Sequence, residues 1–173
     1  MKIFLLLTFL MLVQNVFGQR LAELRALYGC VGIQEDSARK MFSLLKPVTE
    51  VSEPLLLCYK GAVTMVLAKY YFNPLIKYGY FKRGKKLVEK AISRDSANIE
   101  MRYLRFTLQS NLPAFLGYSS QLKTDKDFLA NHCLLVTDAA LQGIIISLLL
   151  ASKYCNSENV KKLQHAGRSS ISR

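Results

Sequence analysis

Residues 81–118 read FKRGKKLVEKAISRDSANIEMRYLRFTLQSNLPAFLGY, and this stretch decides the fold. Its first part has basic residues on one face and an apolar stripe on the other, as expected of an amphipathic helix that buries one face. The approach to this helix begins at Asn73 and Pro74, because Asn caps helices well and Pro suits a first turn. The stripe consists of Phe81, Leu87, Val88, Ala91 and Ile92, with Gly84 on the same side.

A second helix is predicted after a short connection. The first helix should stop near Asp95 and Ser96, whose short polar side chains compete for the backbone. Asn98 can cap the second helix, and Pro113 ends it. Because the connection is short, the two helices are predicted to be antiparallel neighbours. The second helix has an apolar side with Ile99, Met101, Leu104, Leu108 and Leu112, and a polar side with Arg102, Arg105 and Gln109.

The helix pair resembles a tetratricopeptide repeat (TPR). Gly84, Ala91 and Ser96 match the small residue that opens the second helix of the repeat, the small residue at the helix contact and the closing turn. Leu57 and Gly61 match the first helix, if an insertion of about a dozen residues extends the usual ~34-residue period. The resemblance implies a TPR-like helical fold.

Residues 79–118, which include NLPAFLGY, also resemble a group of short exported bacterial proteins with repeat-like helices. That resemblance implies a fold and a compartment but no functional residue. Together with the helical periodicity, it predicts an all-α protein. The predicted architecture is an antiparallel helical array, a TPR-like alpha-alpha superhelix of roughly seven to nine helices.

The length and the two ends of the chain indicate one exported domain. A chain of 173 residues suits a single domain with a proper core. It begins MKIFLLLTFLMLVQNVFGQ, which is typical of a signal peptide (1–18) cut after Gly18. An uncleaved membrane anchor is the alternative, although the apolar run is short for a span. The helical domain is predicted over 19–155, with a disordered polar tail over 156–173. The expected location is periplasmic or extracellular.

The net charge of +12 indicates affinity for acidic partners. Nucleic acid is not favoured, because the basic residues lie on ordinary helix faces and the chain is predicted to be exported. An anionic lipid surface, an acidic envelope polymer, or solvated faces with no dedicated partner all remain open.

Three helices are predicted before the central pair. The first covers Leu21 to Val31, and Asp36 is expected to cap the second, which continues to about Leu45. Glu53 and Pro54 open a third, largely apolar helix in which Gly61 permits close approach of a neighbour. The segment 70–80 is read as an aromatic insertion, which either packs over helix ends or forms one wall of a groove.

The C-terminal third is predicted to hold two further helices. Residues 114–118 form a short helix or turn that Gly117 stops. Thr124 or Asp125 is expected to start a helix that continues to about Leu135. Asp138 should cap the last helix, AALQGIIISLLLASKY, which is read as a buried core helix because it is too short to span a membrane. Peripheral membrane contact stays open.

The cysteines and histidines show no reactive or metal-binding pattern. Four cysteines in an exported chain allow three disulfide connectivities, and free, buried thiols are slightly favoured on topological grounds. The two histidines occur in no metal-ligand spacing, so neither a metal site nor a cofactor is indicated. His132 is read as a satisfied surface residue, and GYFKRGKK lacks the context of a phosphate loop. The four cysteines are Cys30, Cys58, Cys133 and Cys155.

The leading functional hypothesis is a non-enzymatic scaffold or binding protein that recognises a protein or peptide in the cell envelope. Arg and Tyr are typical anchors at recognition surfaces, and helical arrays present concave binding faces. The alternatives are a pocket protein for an acidic or amphiphilic small molecule and, least favoured, a hydrolase without an assigned catalytic residue. The sequence does not determine the oligomeric state. The candidate binding residues are Arg102, Tyr103, Arg105, Asn111 and Tyr118.

Overall fold

The computed structural model describes residues 18–153, which form seven α-helices and no β-strand. The all-α prediction is therefore confirmed. Apart from Gly18, the predicted leader lies outside the described residues, as do the polar tail and Cys155. The helices are α1 (residues 18–30), α2 (Glu35–Leu44), α3 (Pro54–Leu67), α4 (Pro74–Arg94), α5 (Ile99–Asn111), α6 (Leu122–His132) and α7 (Ala139–Ala151), with single 3-10 turns at Ala68–Tyr70, Ala114–Leu116 and Cys133–Leu135.

Three predicted helix starts are confirmed by their caps, and one predicted turn end is confirmed by its backbone. Asn73 Oδ1 accepts the Leu75 N–H at 2.9 Å. Asn98 Oδ1 accepts the Met101 N–H at 3.1 Å, and Asp138 Oδ1 accepts the Leu141 N–H at 3.0 Å. Gly117, with φ of 60°, ends the turn before it in the left-handed region that glycine tolerates best. These signals are local, which is why the sequence shows them.

Three predicted boundaries are wrong. Helix α2 begins at Glu35 after Gln34, so Asp36 lies in the first turn and does not cap it. Helix α6 begins at Leu122, so neither Thr124 nor Asp125 starts it. The segment assigned to an insertion is largely helical, because residues 74–80 form the first two turns of α4. In the first two cases a good helix former precedes the polar residue that was read as the boundary.

The described residues divide into two compact units. Unit 1 comprises residues 18–48 and 59–85, and therefore holds α1, α2, most of α3 and the first half of α4. Its interior includes Tyr28 and Tyr59, which meet edge to face with ring centroids 5.8 Å apart. Buried apolar side chains from all four helices complete this core: Leu24, Val31, Ala38, Met41, Leu45, Ala62, Val63 and Phe81.

Two glycines let α3 and α4 approach closely within unit 1. A Cβ built on Gly84 would lie 2.3 Å from Met65 Cγ and 2.5 Å from the carbonyl oxygen of Gly61. Real Cβ atoms do not come so near to other heavy atoms, so only glycine fits at position 84. The predicted close approach at Gly61 and the helix-contact role of Gly84 are both confirmed.

Unit 2 comprises residues 49–58 and 86–153. Its core joins α5, α6 and α7 through buried apolar residues: Phe106, Leu122, Leu129, Ala130, Cys133, Leu141, Ile145 and Leu149. Helix α7 contributes only one stripe, because Ile144 and Leu150 remain exposed. The prediction of a core helix is thus confirmed for one face only. Among residues 18–153, no helix has both the length and the apolar character needed to cross a bilayer.

Candidate functional site

The predicted binding residues of α5 lead into a charged cluster in unit 2. Arg105 donates from Nε to Asp125 Oδ2 at 2.6 Å and from a terminal nitrogen to Asp125 Oδ1 at 2.8 Å. Its remaining nitrogen donates to Glu89 Oε2 at 2.8 Å. Arg105 is 4% exposed and Asp125 is fully buried. Arg105 thus bridges α4, α5 and α6 with hydrogen bonds that are all charge-assisted.

Two more predicted residues complete the cluster. Arg102 donates to Asp125 Oδ1 at 2.7 Å and to the Ser96 carbonyl at 2.9 Å, so one carboxylate receives two guanidinium groups. Tyr118 is buried and donates its hydroxyl to the other oxygen of Glu89. The cluster therefore consists of Glu89, Arg102, Arg105, Tyr118 and Asp125.

Burial and hydrogen bonding shift the pKa values of Arg105, Tyr118 and the neighbouring Cys58. Burial opposes the charge of Arg105, but Asp125 and Glu89 outweigh it and raise the pKa of the guanidinium. Burial and the hydrogen bond to Glu89 raise the pKa of the Tyr118 phenol. Burial also raises the pKa of the neighbouring Cys58 thiol, against a smaller opposing effect of Arg105. The thiol and the phenol are thus neutral at neutral pH, and neither is an activated nucleophile.

The other two predicted residues lie apart from the cluster. Tyr103 is half-buried against the α5–α6–α7 core, where burial raises the pKa of its phenol. Asn111 is exposed and donates to the Thr107 carbonyl at 2.8 Å. The structure therefore joins three of the five predicted residues through Glu89 and Asp125, which the sequence prediction did not include.

The polar side of α5 does not face the solvent, contrary to the expectation from helical spacing. Arg105 and Gln109 are 4% and 3% exposed, so both point into unit 2. Neither amide atom of Gln109 has a hydrogen-bond partner among the described residues. Buried polar groups are normally satisfied, so this amide weakens the core unless something else binds it. Helical spacing alone did not distinguish these buried polar residues from solvated ones.

Unit 1 carries a surface that the prediction treated only as an aromatic insertion. Residues 72–78 are all exposed, although four of the seven are large and apolar. Phe72 is 98% exposed and Leu75 is 81% exposed. Single exposed apolar side chains are common, but a concentration of this kind is typical of interaction surfaces. We call this the apolar-basic surface, and it consists of Phe72, Leu75, Ile76, Lys77, Tyr78 and Lys82.

The backbone of α4 fixes the arrangement of this surface. Asn73 caps the helix immediately after Phe72, so the chain turns there into the first helical turn. Leu75, Tyr78 and Lys82 follow at spacings of three and four, which places them on one face. Lys82 Nζ lies 5.6 Å from the centre of the Tyr78 ring, a cation–π arrangement. The same face therefore offers apolar area and positive charge side by side.

A local charge imbalance surrounds the apolar-basic surface. No acidic residue occurs between Glu53 and Glu89, an interval that contains seven Lys and Arg residues. The described part of unit 1 has eleven basic and three acidic side chains, a net charge of +8. The sequence signal that identifies this surface is the combination of aromatic residues with lysines and the missing acids.

Metal and disulfide chemistry receive no support from the described residues. Within residues 18–153, no group of three His, Cys, Asp or Glu side chains is placed to hold a metal ion. Cys30 and Cys58 carry free thiols, as favoured from the sequence, but Cys30 is only half-buried. His132 is half-buried rather than at the surface, stacks on Phe128, and has its Nδ1 2.8 Å from the Phe128 carbonyl oxygen.

Comparison with known proteins yields no matching family model, no matching curated protein and no matching solved structure.

Proposed function

We propose that this protein is a non-catalytic binding protein that attaches to an acidic partner through the apolar-basic surface. The observation that carries the proposal is the exposure of Phe72, Leu75 and Tyr78 next to Lys77 and Lys82. Water-exposed apolar area is unfavourable by about 25 cal/mol per Å². A partner that covers these side chains recovers that free energy, and the excess of positive charge selects an acidic partner.

A protein or peptide of the cell envelope was the partner expected from the sequence, at the five residues of the α5 region. The apolar-basic surface is the better-supported place for binding. Arg105 and Tyr118 are buried and engaged by Asp125 and Glu89, so a partner would have to displace those bonds to reach them. Exported, TPR-like architecture stays part of the proposal, since it would present such a surface to the envelope.

The proposal of a non-catalytic role is based on the hydrogen bonds and protonation of the ionisable groups around Arg105. In unit 2, acidic side chains and potential nucleophiles surround Arg105. There Asp125 and Glu89 accept hydrogen bonds from arginine, and the Cys58 thiol and Tyr118 phenol retain their protons. This arrangement stabilises α4, α5 and α6 and provides no activated group.

Capture from an envelope extract tests the proposal. The baits are the wild-type protein, the double variant F72S/L75S, and the matched control F115S/L135S. The control removes a second exposed phenylalanine and leucine, which are 86% and 70% exposed. The expected result is retention of an acidic component by the wild type and the control, with loss in F72S/L75S. Equal retention by all three baits would show that the apolar-basic surface is not the binding site.

A further inference from the structure

We infer that the partner of the apolar-basic surface is a bilayer that contains anionic phospholipid. This inference rests on the proposed function and specifies its partner. The beginning of α4 enters the interfacial region with Phe72, Leu75 and Ile76 among the acyl chains. Tyr78 lies at the headgroup level, and the lysines contact the phosphates. Aromatic side chains with one apolar and one polar end favour this depth.

The kind of basic residue favours a lipid surface over a protein. Lys77 and Lys82 belong to the surface, and Lys69 stands just before it in sequence, where it donates to the Gly32 carbonyl at 2.6 Å. Lysine is depleted at protein–protein interfaces, whereas Arg and aromatic residues are enriched. A lysine ammonium is a compact point charge that needs no fixed partner geometry. It therefore suits a fluid layer of phosphates better than a fixed set of carboxylates.

The exposure pattern supports the same assignment. Residues 72–78 are exposed on every side of the first helical turn, and the first buried side chain is Phe81. A helix bound in a protein groove needs apolar residues along one face only. A helix end that enters lipid is surrounded by apolar chains on all sides, so neighbouring positions such as Leu75 and Ile76 can both be apolar.

A further exposed apolar residue, outside the apolar-basic surface, lies at the same end of unit 1. Ile33 is 85% exposed. The loop that carries it is held against the segment before Phe72, because Tyr70 donates its hydroxyl to the Val31 carbonyl at 2.6 Å. Ile33 can thus enter the same layer, which widens the area in contact with lipid.

Tryptophan fluorescence gives a site-specific test, because the chain contains no Trp. The full chain is prepared as F72W and, as the matched control, F115W. Each is mixed with vesicles of phosphatidylglycerol and acyl-chain-brominated phosphatidylcholine. The F72W emission is expected to shift to shorter wavelength and to be quenched by the bromine atoms. The F115W emission is expected to stay unchanged. Any membrane binding by residues 1–17 is common to both variants, so the difference reports on the surface.

Binding strength provides the second measurement. F72S/L75S is expected to bind the same vesicles at least about tenfold more weakly than F115S/L135S. K77Q should bind about fivefold more weakly than K123Q, which removes another exposed lysine, in unit 2. The effect of K77Q should vanish on vesicles of phosphatidylcholine alone, since those carry no net charge.

Three outcomes would overturn the inference. The first is that bromine quenches F72W and F115W equally. The second is that F72W is already blue-shifted and shielded without vesicles, which would mean that a second copy or another part of the chain covers the surface. The third is capture of an acidic protein that F72S/L75S abolishes, without vesicle binding. That result would refute the lipid assignment and leave the proposed binding surface intact.

Discussion

Replacing Arg105 by methionine should destabilise the protein strongly, because it leaves a buried carboxylate without its main partner. Arg105 provides two of the three guanidinium hydrogen bonds to Asp125, which is fully buried, and one to Glu89. Hydrogen bonds to charged groups contribute about 1.5–3 kcal/mol each, and breaking a buried ion pair costs about 3–5 kcal/mol. Arg102 still pairs with Asp125 in the variant, so we expect a loss of about 4 kcal/mol.

Two graded controls distinguish this effect from a general loss of positive charge. R102M removes one hydrogen bond to Asp125 while Arg105 stays in place, so it should cost about 1–2 kcal/mol. R39M removes an exposed pair with Glu35 one turn away and should change the free energy of unfolding little. The expected order of destabilisation is therefore Arg105 first, Arg102 second and Arg39 last.

The assay is urea unfolding followed by helical circular dichroism, with the midpoint compared at constant slope. In a thermal scan, R105M should melt about 10 °C below the wild type. A double-mutant cycle with D125N should return a coupling of about 2 kcal/mol or more. If R105M destabilises no more than R39M, or if the cycle shows no coupling, the hydrogen bonds between Arg105 and Asp125 do not stabilise the fold.

Three further predictions follow from packing and burial. G84A should lower the free energy of unfolding in urea by about 2–3 kcal/mol, because the added Cβ has no room. At Gly79 an added Cβ would meet no atom within 4 Å, so G79A should be neutral or stabilising. Equal effects of the two variants would contradict the close approach of α3 and α4. Q109M should raise the free energy of unfolding by about 1 kcal/mol, because it removes an unsatisfied buried amide. A clear decrease would show that the amide has a hydrogen-bond partner. The raised pKa of Tyr118 favours its neutral form in the folded protein, so its contribution is fully present below pH 10 and is lost as pH rises from there towards the folded pKa. The gap in unfolding free energy between wild type and Y118F should therefore shrink by about 1.4 kcal/mol per pH unit above pH 10, and a constant gap would refute the shift.

Local signals in the sequence predicted the helices well. Asn73, Asn98 and Asp138 cap because their side chains reach the backbone N–H groups two or three residues ahead, and this requires no knowledge of the tertiary structure. The close contact at Gly61 and Gly84 was also predictable, since a glycine on an apolar helix face has few other uses. These features follow from residues that are near in sequence or share one helix face.

The charged cluster was not predictable in the same way. Arg105 and Asp125 are twenty residues apart and meet only because α5 packs against α6. A buried arginine and a solvated one have the same periodicity in sequence, so α5 was read with a solvent-facing polar side. For residues 74–80 the sequence left open both packing over helix ends and one wall of a groove. Leu75 and Ile76 have the composition of core residues, and only the structure shows them exposed.

The glycine contact in unit 1 also fixes how far one helix can slide along the other. Moving α4 by one turn would bring Tyr80 or Phe81 to the place of Gly84, opposite the carbonyl oxygen of Gly61. Neither ring fits a gap that excludes a single methyl group, so a slide by one turn in this direction is blocked. This contact holds the first turns of α4 at one position along α3.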